Sequence, residues 1–179
     1  LKYLVDAPSA GKDFLVQITF TPNKQLELYT RFRSENKQSN QPGNSTVTNF
    51  LVPVPKQSWR LQWLYKINQS VALRNRIEAL WYDKNGQNDE NGFLIFSDMI
   101  YKPLLKPYSG NIRLQYFETD DYNSRIYAYE NDVLYGYSIP AFFDKGFRYY
   151  LNLNYDILKN ISAWVKISQT LYREKNSIG

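Results

Sequence analysis

The sequence predicts an antiparallel transmembrane β-barrel of about eight strands, or most of one side of a larger one. Three observations point there: a strict period of two along most of the chain, charge confined to one parity of that period, and aromatic rings bracketing the other parity. The stretch Lys56–Tyr82 shows all three. Trp59, Leu61, Trp63 and Tyr65 alternate with Arg60, Gln62, Leu64 and Lys66. After an Ile67–Ser70 turn, Val71, Leu73, Asn75, Ile77, Ala79 and Trp81 alternate with Ala72, Arg74, Arg76, Glu78, Leu80 and Tyr82. This predicts a hairpin of two long strands separating an apolar phase from a polar one.

The remaining strands follow the same logic in order. Leu1–Val5 reads as the end of an earlier strand and Asp6–Lys12 as a loop. Phe14, Val16, Ile18 and Phe20 then alternate with Leu15, Gln17 and Thr19, and a Pro22-Asn23-Lys24 turn leads back through Leu26, Leu28, Thr30 and Phe32. Residues 34–55, rich in Asn, Gln, Ser, Thr and Pro, read as a long polar loop, and 83–91 as another. Strands are expected over 93–101, 112–117, 148–155 and 161–172, with turns at 102–110 and 156–160. Connections thus alternate short and long, as in bacterial outer-membrane barrels, where short turns lie on the periplasmic side and long loops outside.

Charge within these strands is one-sided. Glu27, Arg31, Arg33, Arg60, Arg74, Arg76, Glu78, Asp98, Arg113, Arg148 and Lys166 fall on the parity opposite the apolar one and are expected to line a lumen. A charge turned to lipid at mid-membrane would cost roughly 2–4 kcal/mol. The rings on the other parity define two girdles: Trp59 and Tyr65, Phe93 and Tyr101, Tyr149 and Tyr155, with Trp81 beside the long loop that follows it. Six to eight residues at about 3.3 Å, tilted by about 40°, span roughly 15–20 Å, close to the apolar band of about 25 Å. Trp59 and Trp81 are expected at the external interface and Tyr65 at the periplasmic one.

Composition narrows the chemistry. The 179 residues contain no cysteine and no histidine, which removes disulfide scaffolds, Cys/His zinc sites, thiol nucleophiles and imidazole-dependent dyads. No enzyme activity, metal or cofactor is expected. A net charge of +5 spread among acids does not mark a nucleic-acid-binding tail. Mean hydropathy of −0.55 does not argue against a membrane, because a barrel strand turns only half its residues to lipid. Sixteen tyrosines in a chain that is 17% aromatic suit membrane interfaces. A lipid bilayer with its lipopolysaccharide leaflet is the expected partner, together with other outer-membrane or periplasmic proteins.

Residues 118–146 are expected to form one long external loop within a single β-barrel segment spanning 1–179. Two short β-like runs, 125–130 and 133–139, meet at Asn131-Asp132. Either they form an external hairpin packed on its own tyrosines, or the hairpin folds into the lumen as a plug carried by Tyr127, Tyr129, Glu130, Asn131, Asp132 and Tyr135. Glu118, Asp120 and Asp121 lack the spacing of a calcium loop and read as solvated charge.

A resemblance enters through the phrases LVDAPSAGKDFLVQITFTPN (4–23), QLELYTRFR (25–33), SRIYAYENDVLYGYSIPAFFDKGFRYYLNLNY (124–155) and NSIG (176–179). They resemble the C-terminal β-barrel portion of Bacteroidota outer-membrane proteins that often carry a helix-hairpin-helix region nearer the N-terminus. The resemblance covers most of the chain, and YENDVLY…SIPA (129–141) is its most specific part. It implies an outer-membrane location and a longer parent protein, and it carries no catalytic residues across. The expected function is a non-enzymatic membrane scaffold or transport component. The alternatives are a DNA-uptake factor, which would act on nucleic acid only through regions outside this sequence, and a soluble β-domain that binds glycans through surface Tyr and Trp.

Overall fold

The structure is a computed structural model, and it describes residues 5–41, 47–84, 86 and 89–173. Eight strands form one antiparallel sheet: β1 (Gly11–Phe20), β2 (Leu26–Asn40), β3 (Leu51–Lys66), β4 (Val71–Tyr82), β5 (Glu90–Tyr101), β6 (Tyr108–Thr119), β9 (Lys145–Leu158) and β10 (Ile161–Tyr172). Two short strands, β7 (Ile126–Tyr127) and β8 (Ala141–Phe142), pair with each other in the connection between β6 and β9. Every strand lies beside its sequence neighbour except where β9 follows β6. The protein is therefore all-β, as the alternation predicts. The sheet is not closed: no pairing joins β1 to β10 among the described residues, so both edges are open.

The connections alternate as expected but are redistributed. Of the polar stretch 34–55, residues 34–40 and 51–55 are strand, not loop, and 42–46 lie outside the described residues. Strand β2 continues to Asn40 and β3 begins at Leu51, pairing from Ser34↔Gln57 to Asn40↔Leu51. Polar side chains end a strand only when no partner strand continues beside them, and here one does. The prolines are tolerated for a geometric reason. The Pro55 carbonyl accepts from the Asp83 N–H, so Pro55, and Pro53 two residues before it, turn their missing N–H toward β4. Pairing with β4 ends at Lys56↔Tyr82, leaving that side an open edge. The turns expected at 102–110 and 156–160 are likewise shorter, since β6 starts at Tyr108 and β9 runs to Leu158. Most of Leu1–Val5, and all of the closing 176–179, lie outside the described residues.

The two faces of the sheet differ. One bears Phe14, Ile18, Trp59, Phe93, Ile95, Met99, Ile112, Leu114, Leu153, Val165 and Ile167, all exposed. The other bears the charged parity and is covered by the chain itself. Its apolar cluster of Leu80, Leu94, Phe96 and Phe117 packs against Ile126, Ala128 and Phe142 from the β6–β9 connection. The core thus lies under that connection and not on the broad apolar face.

Candidate functional site

The 120–144 connection begins with a single 3-10 turn at Tyr122–Ser124. Asp121 caps it, its carboxylate accepting from the Tyr122 N–H at 2.6 Å, while the Ser124 hydroxyl accepts from the Asp121 N–H at 3.3 Å. Asp120 accepts from the Asn91 backbone and side chain, and Glu118 accepts from Lys145 at 2.7 Å. The three acids are spent on local bonds. Gly92 lies beneath this turn, and a Cβ there would collide with the Ser124 carbonyl. Glycine is what lets the chain settle on β5 at this point.

From there the segment runs crosswise over the strands. The Asn123 carbonyl meets Lys56 of β3 at 3.5 Å, and the Tyr127 carbonyl meets Arg76 of β4 at 3.2 Å. The Tyr129 carbonyl accepts from Arg113 of β6 at 2.8 Å, and the Asp132 carbonyl from Asn152 of β9 at 2.9 Å. The Asp132 carboxylate reaches Lys166 of β10 at 3.0 Å. Five strand spacings separate β3 from β10, since β9 follows β6 in the sheet, a span of about 24 Å at roughly 4.8 Å each; nine residues of extended chain reach roughly 30 Å, enough to make the crossing. Period two persists along this crossing. Ile126, Ala128 and Glu130 are buried toward the sheet, while Tyr127 and Tyr129 turn away and stay exposed.

The charged face lies beneath the segment as three groups of ion pairs, centred on Glu78, Asp98 and Glu130. Arg60 pairs with Glu78 at 2.9 Å, and Arg76 pairs with the same carboxylate. Asp98, fully buried, accepts from Arg74 at 2.5 Å and from Arg113 at 2.5 Å. The Arg113 guanidinium also lies over the Phe96 ring at 3.7 Å. Glu130 descends from the segment and is fully buried between Arg148 at 2.6 Å and Lys166 at 3.4 Å. The Tyr150 hydroxyl joins the two layers, accepting from the Asn111 side chain at 3.1 Å and from the Asn131 N–H at 3.2 Å. Asp132 is partly covered, which works against its ionised form. Lys166 and the Val133 N–H outweigh that and hold its carboxyl below the usual range. Asp6, outside the strands, is held low by the Asn49 N–H and by the side chains of Asn49 and Asn40.

Arg60, Arg74, Arg76, Glu78, Asp98, Arg113, Arg148 and Lys166 lie in the network beneath the segment. Arg31 lies on the same face without an ion-pair partner among the described residues. Arg33 is tied to Asp13 and Glu35, both at 2.5 Å, beyond the central network. Glu27 departs from the expected ladder: it is exposed near the β1–β2 turn and forms no ion pair among the described residues. Trp59, Tyr65, Trp81, Phe93, Tyr101, Tyr149 and Tyr155 share the opposite, uncovered face.

Within the connection, Glu130, Asn131 and Asp132 engage the sheet by side chain or backbone. Tyr127 and Tyr129 do so only through their carbonyls, and Tyr135 not at all, being 97% exposed. The connection turns at Val133–Gly136, not at Asn131-Asp132: the Gly136 N–H donates to the Val133 carbonyl, and Tyr135 has a φ of 65°. Asn131 and Asp132 cannot form the bend because β9 and β10 hold them. The return run pairs further on, through Glu130↔Ser138 and β7 with β8.

Sequence reasoning missed Tyr150, Asn111 and Asn152. Their signal was parity alone, since Tyr150 and Asn152 follow Arg148 by two and four residues. Two cavities flank the crossing segment at opposite ends of the strands. One, of about 250 Å³, lies between β2, β3 and Arg125–Tyr127. The other, of about 330 Å³, lies toward the β5–β6 turn among Asn131, Asp132, Asn152 and Asn154. Comparison with protein-family models, with curated proteins and with solved structures returned no match.

Proposed function

We propose that this chain forms one wall of an outer-membrane β-barrel, with its aromatic face toward lipid and residues 120–144 filling the interior as a plug. In this reading the protein is a non-enzymatic membrane scaffold or transport component. One observation carries it: the broad apolar face is the bare one, while the charged face is covered by the protein's own chain. A water-soluble sandwich would bury the first and expose the second. Between the rings, the bare face carries no charged residue on any of the eight strands. An uncovered apolar surface of that extent marks contact with a partner or a membrane, and the ring rows at both strand ends favour the membrane.

The open edges belong to the same reading. Strand β1 is exposed along all ten residues, with Phe14, Val16, Ile18 and Phe20 on one side. A bare edge of that length pairs with another strand or aggregates, so further strands complete the barrel beside β1 and β10.

The test is Leu114→Arg, at the middle of β6 on the bare face, measured by reversible urea unfolding of the full-length protein from lipid vesicles. A lipid-facing site costs roughly 2–4 kcal/mol, whereas a site in water costs within about 0.5 kcal/mol. A cost in the second range, or a wild-type protein that stays monodisperse without detergent, would overturn the proposal.

A further inference from the structure

The cavity of about 250 Å³ beside Arg125–Tyr127 is lined by five cations and two carboxylates. Both carboxylates are already engaged. Glu78 is held by Arg60 at 2.9 Å and by Arg76, and Glu35 by Arg33 at 2.5 Å and Lys37 at 2.8 Å. That leaves Arg31, Lys56 and Arg125, each half-buried and each without a carboxylate partner among the described residues. They come from three separate elements: the middle of β2, the long-loop end of β3, and the start of the crossing segment. Lys56 donates to the Asn123 carbonyl at 3.5 Å, a neutral acceptor. Arg125 is held in place without being neutralised: it lies over the Tyr122 ring at 4.1 Å and donates to the Tyr127 hydroxyl at 2.7 Å and the Tyr122 carbonyl at 2.8 Å.

We propose that this cavity binds a compact, multiply charged phosphate group, with Arg31, Lys56 and Arg125 as its ligands. The rest of the charged face sets the contrast. Asp98, Glu130 and Glu78 each take two cations, so the cations of that network are neutralised where they stand. Withdrawing cations from water without a counter-charge is unfavourable, and an anion entering the cavity removes that cost. Guanidinium groups match the paired oxygens of phosphate, and a lysine adds a mobile point charge. At this volume the site takes a diphosphate or a phosphorylated sugar and excludes a polymer. The cavity is partly open, so the phosphate comes either from a soluble solute or from a lipid headgroup.

The experiment is calorimetric titration of inorganic pyrophosphate into the full-length protein, at low ionic strength and in whichever medium keeps it monodisperse. Three forms are compared: wild type, the Arg31→Gln/Lys56→Gln double variant, and Lys102→Gln, which removes an exposed lysine at the opposite end of the strands. None of these residues forms an ion pair among the described residues, so all three forms should fold alike. Wild type and Lys102→Gln should bind equally, while the double variant loses roughly tenfold per cation removed, about a hundredfold in all. Affinity should also fall steeply with added salt. Competition by diphosphorylated lipid A in mixed micelles would assign the phosphate to lipid, and its absence to a soluble solute. No detectable pyrophosphate binding, or equal binding by the double variant and Lys102→Gln, would overturn the inference.

Discussion

The Asp98 triad makes the sharpest demand on stability. Asp98 is completely buried and accepts from Arg113 at 2.5 and 2.8 Å and from Arg74 at 2.8 and 2.5 Å. Replacing it by asparagine keeps the volume and removes the charge. The two arginines are then affected unequally. Arg74 is 21% exposed at its side chain and can turn to water, whereas Arg113, at 1%, cannot. Arg113 would lose its counter-charge, keeping the Tyr129 carbonyl, the faces of Phe96 and Tyr150 and at most one neutral amide oxygen in place of the carboxylate. Breaking a buried pair from one side costs about 3–5 kcal/mol. For a protein of this size, at about 2–4 °C per kcal/mol, Asp98→Asn should lower the melting midpoint by roughly 6–20 °C. Circular dichroism of the full-length protein in detergent, followed against temperature, measures this, with Glu27→Gln as an exposed, unpaired control. The double variant Asp98→Leu/Arg113→Leu should recover most of the loss, because no buried charge is then stranded. A shift for Asp98→Asn no larger than that of Glu27→Gln would refute the premise that this face is dry and its charges paired.

Two further outcomes concern the crossing segment. Glu130→Gln removes the carboxylate shared by Arg148 and Lys166, so limited proteolysis within 131–137 should speed up at least tenfold while the sheet stays folded; an unchanged rate would mean that Glu130 does not anchor the segment. Asp132 is depressed below the usual carboxylate range, so its contribution to docking is fully present above that range and is lost as pH falls through its lowered value. Proteolytic access to the same stretch, sampled with an acid-active protease, should therefore stay flat from neutral pH down through the ordinary carboxylate range and rise only below it. Access that rises already at mildly acidic pH would contradict that assignment.

Most of the sheet was legible because its signal is local. Alternation fixes which residues share a face, and that parity placed Arg60, Arg74, Arg76 and Glu78 together without knowledge of any contact. Strand ends were less legible. Ser34–Asn40 and Leu51–Pro55 read as loop because their composition is polar and holds two prolines; what makes them strands is pairing with each other and the unpaired β4 side that accommodates Pro53 and Pro55. The path of 120–144 was least legible. Its buried parity, Ile126, Ala128 and Glu130, was visible, but the partners lie on five strands remote in sequence. Nothing near Asn131-Asp132 shows that Tyr150, Asn152 and Lys166 hold those residues flat and move the bend to Val133–Gly136.

How firmly the segment is held follows from the same contacts. Arg76, Arg113, Arg148 and Lys166 each bond it, and at about 1.5–3 kcal/mol per charged hydrogen bond they contribute roughly 6–12 kcal/mol. Burying Ile126 adds roughly 1.5–3 kcal/mol. Ordering the seven residues 126–132 costs about 7–14 kcal/mol in backbone entropy. The opposing terms nearly cancel, leaving docking favourable by a few kcal/mol at most. That margin is comparable to one anchor. A segment held so closely to balance stays docked while every anchor is in place and releases when one is withdrawn, which is why neutralising Glu130 alone should free it although the strand pairing of the sheet beneath is intact. The segment is thus part of the folded structure, yet held by a margin small enough that one anchor decides whether it stays docked.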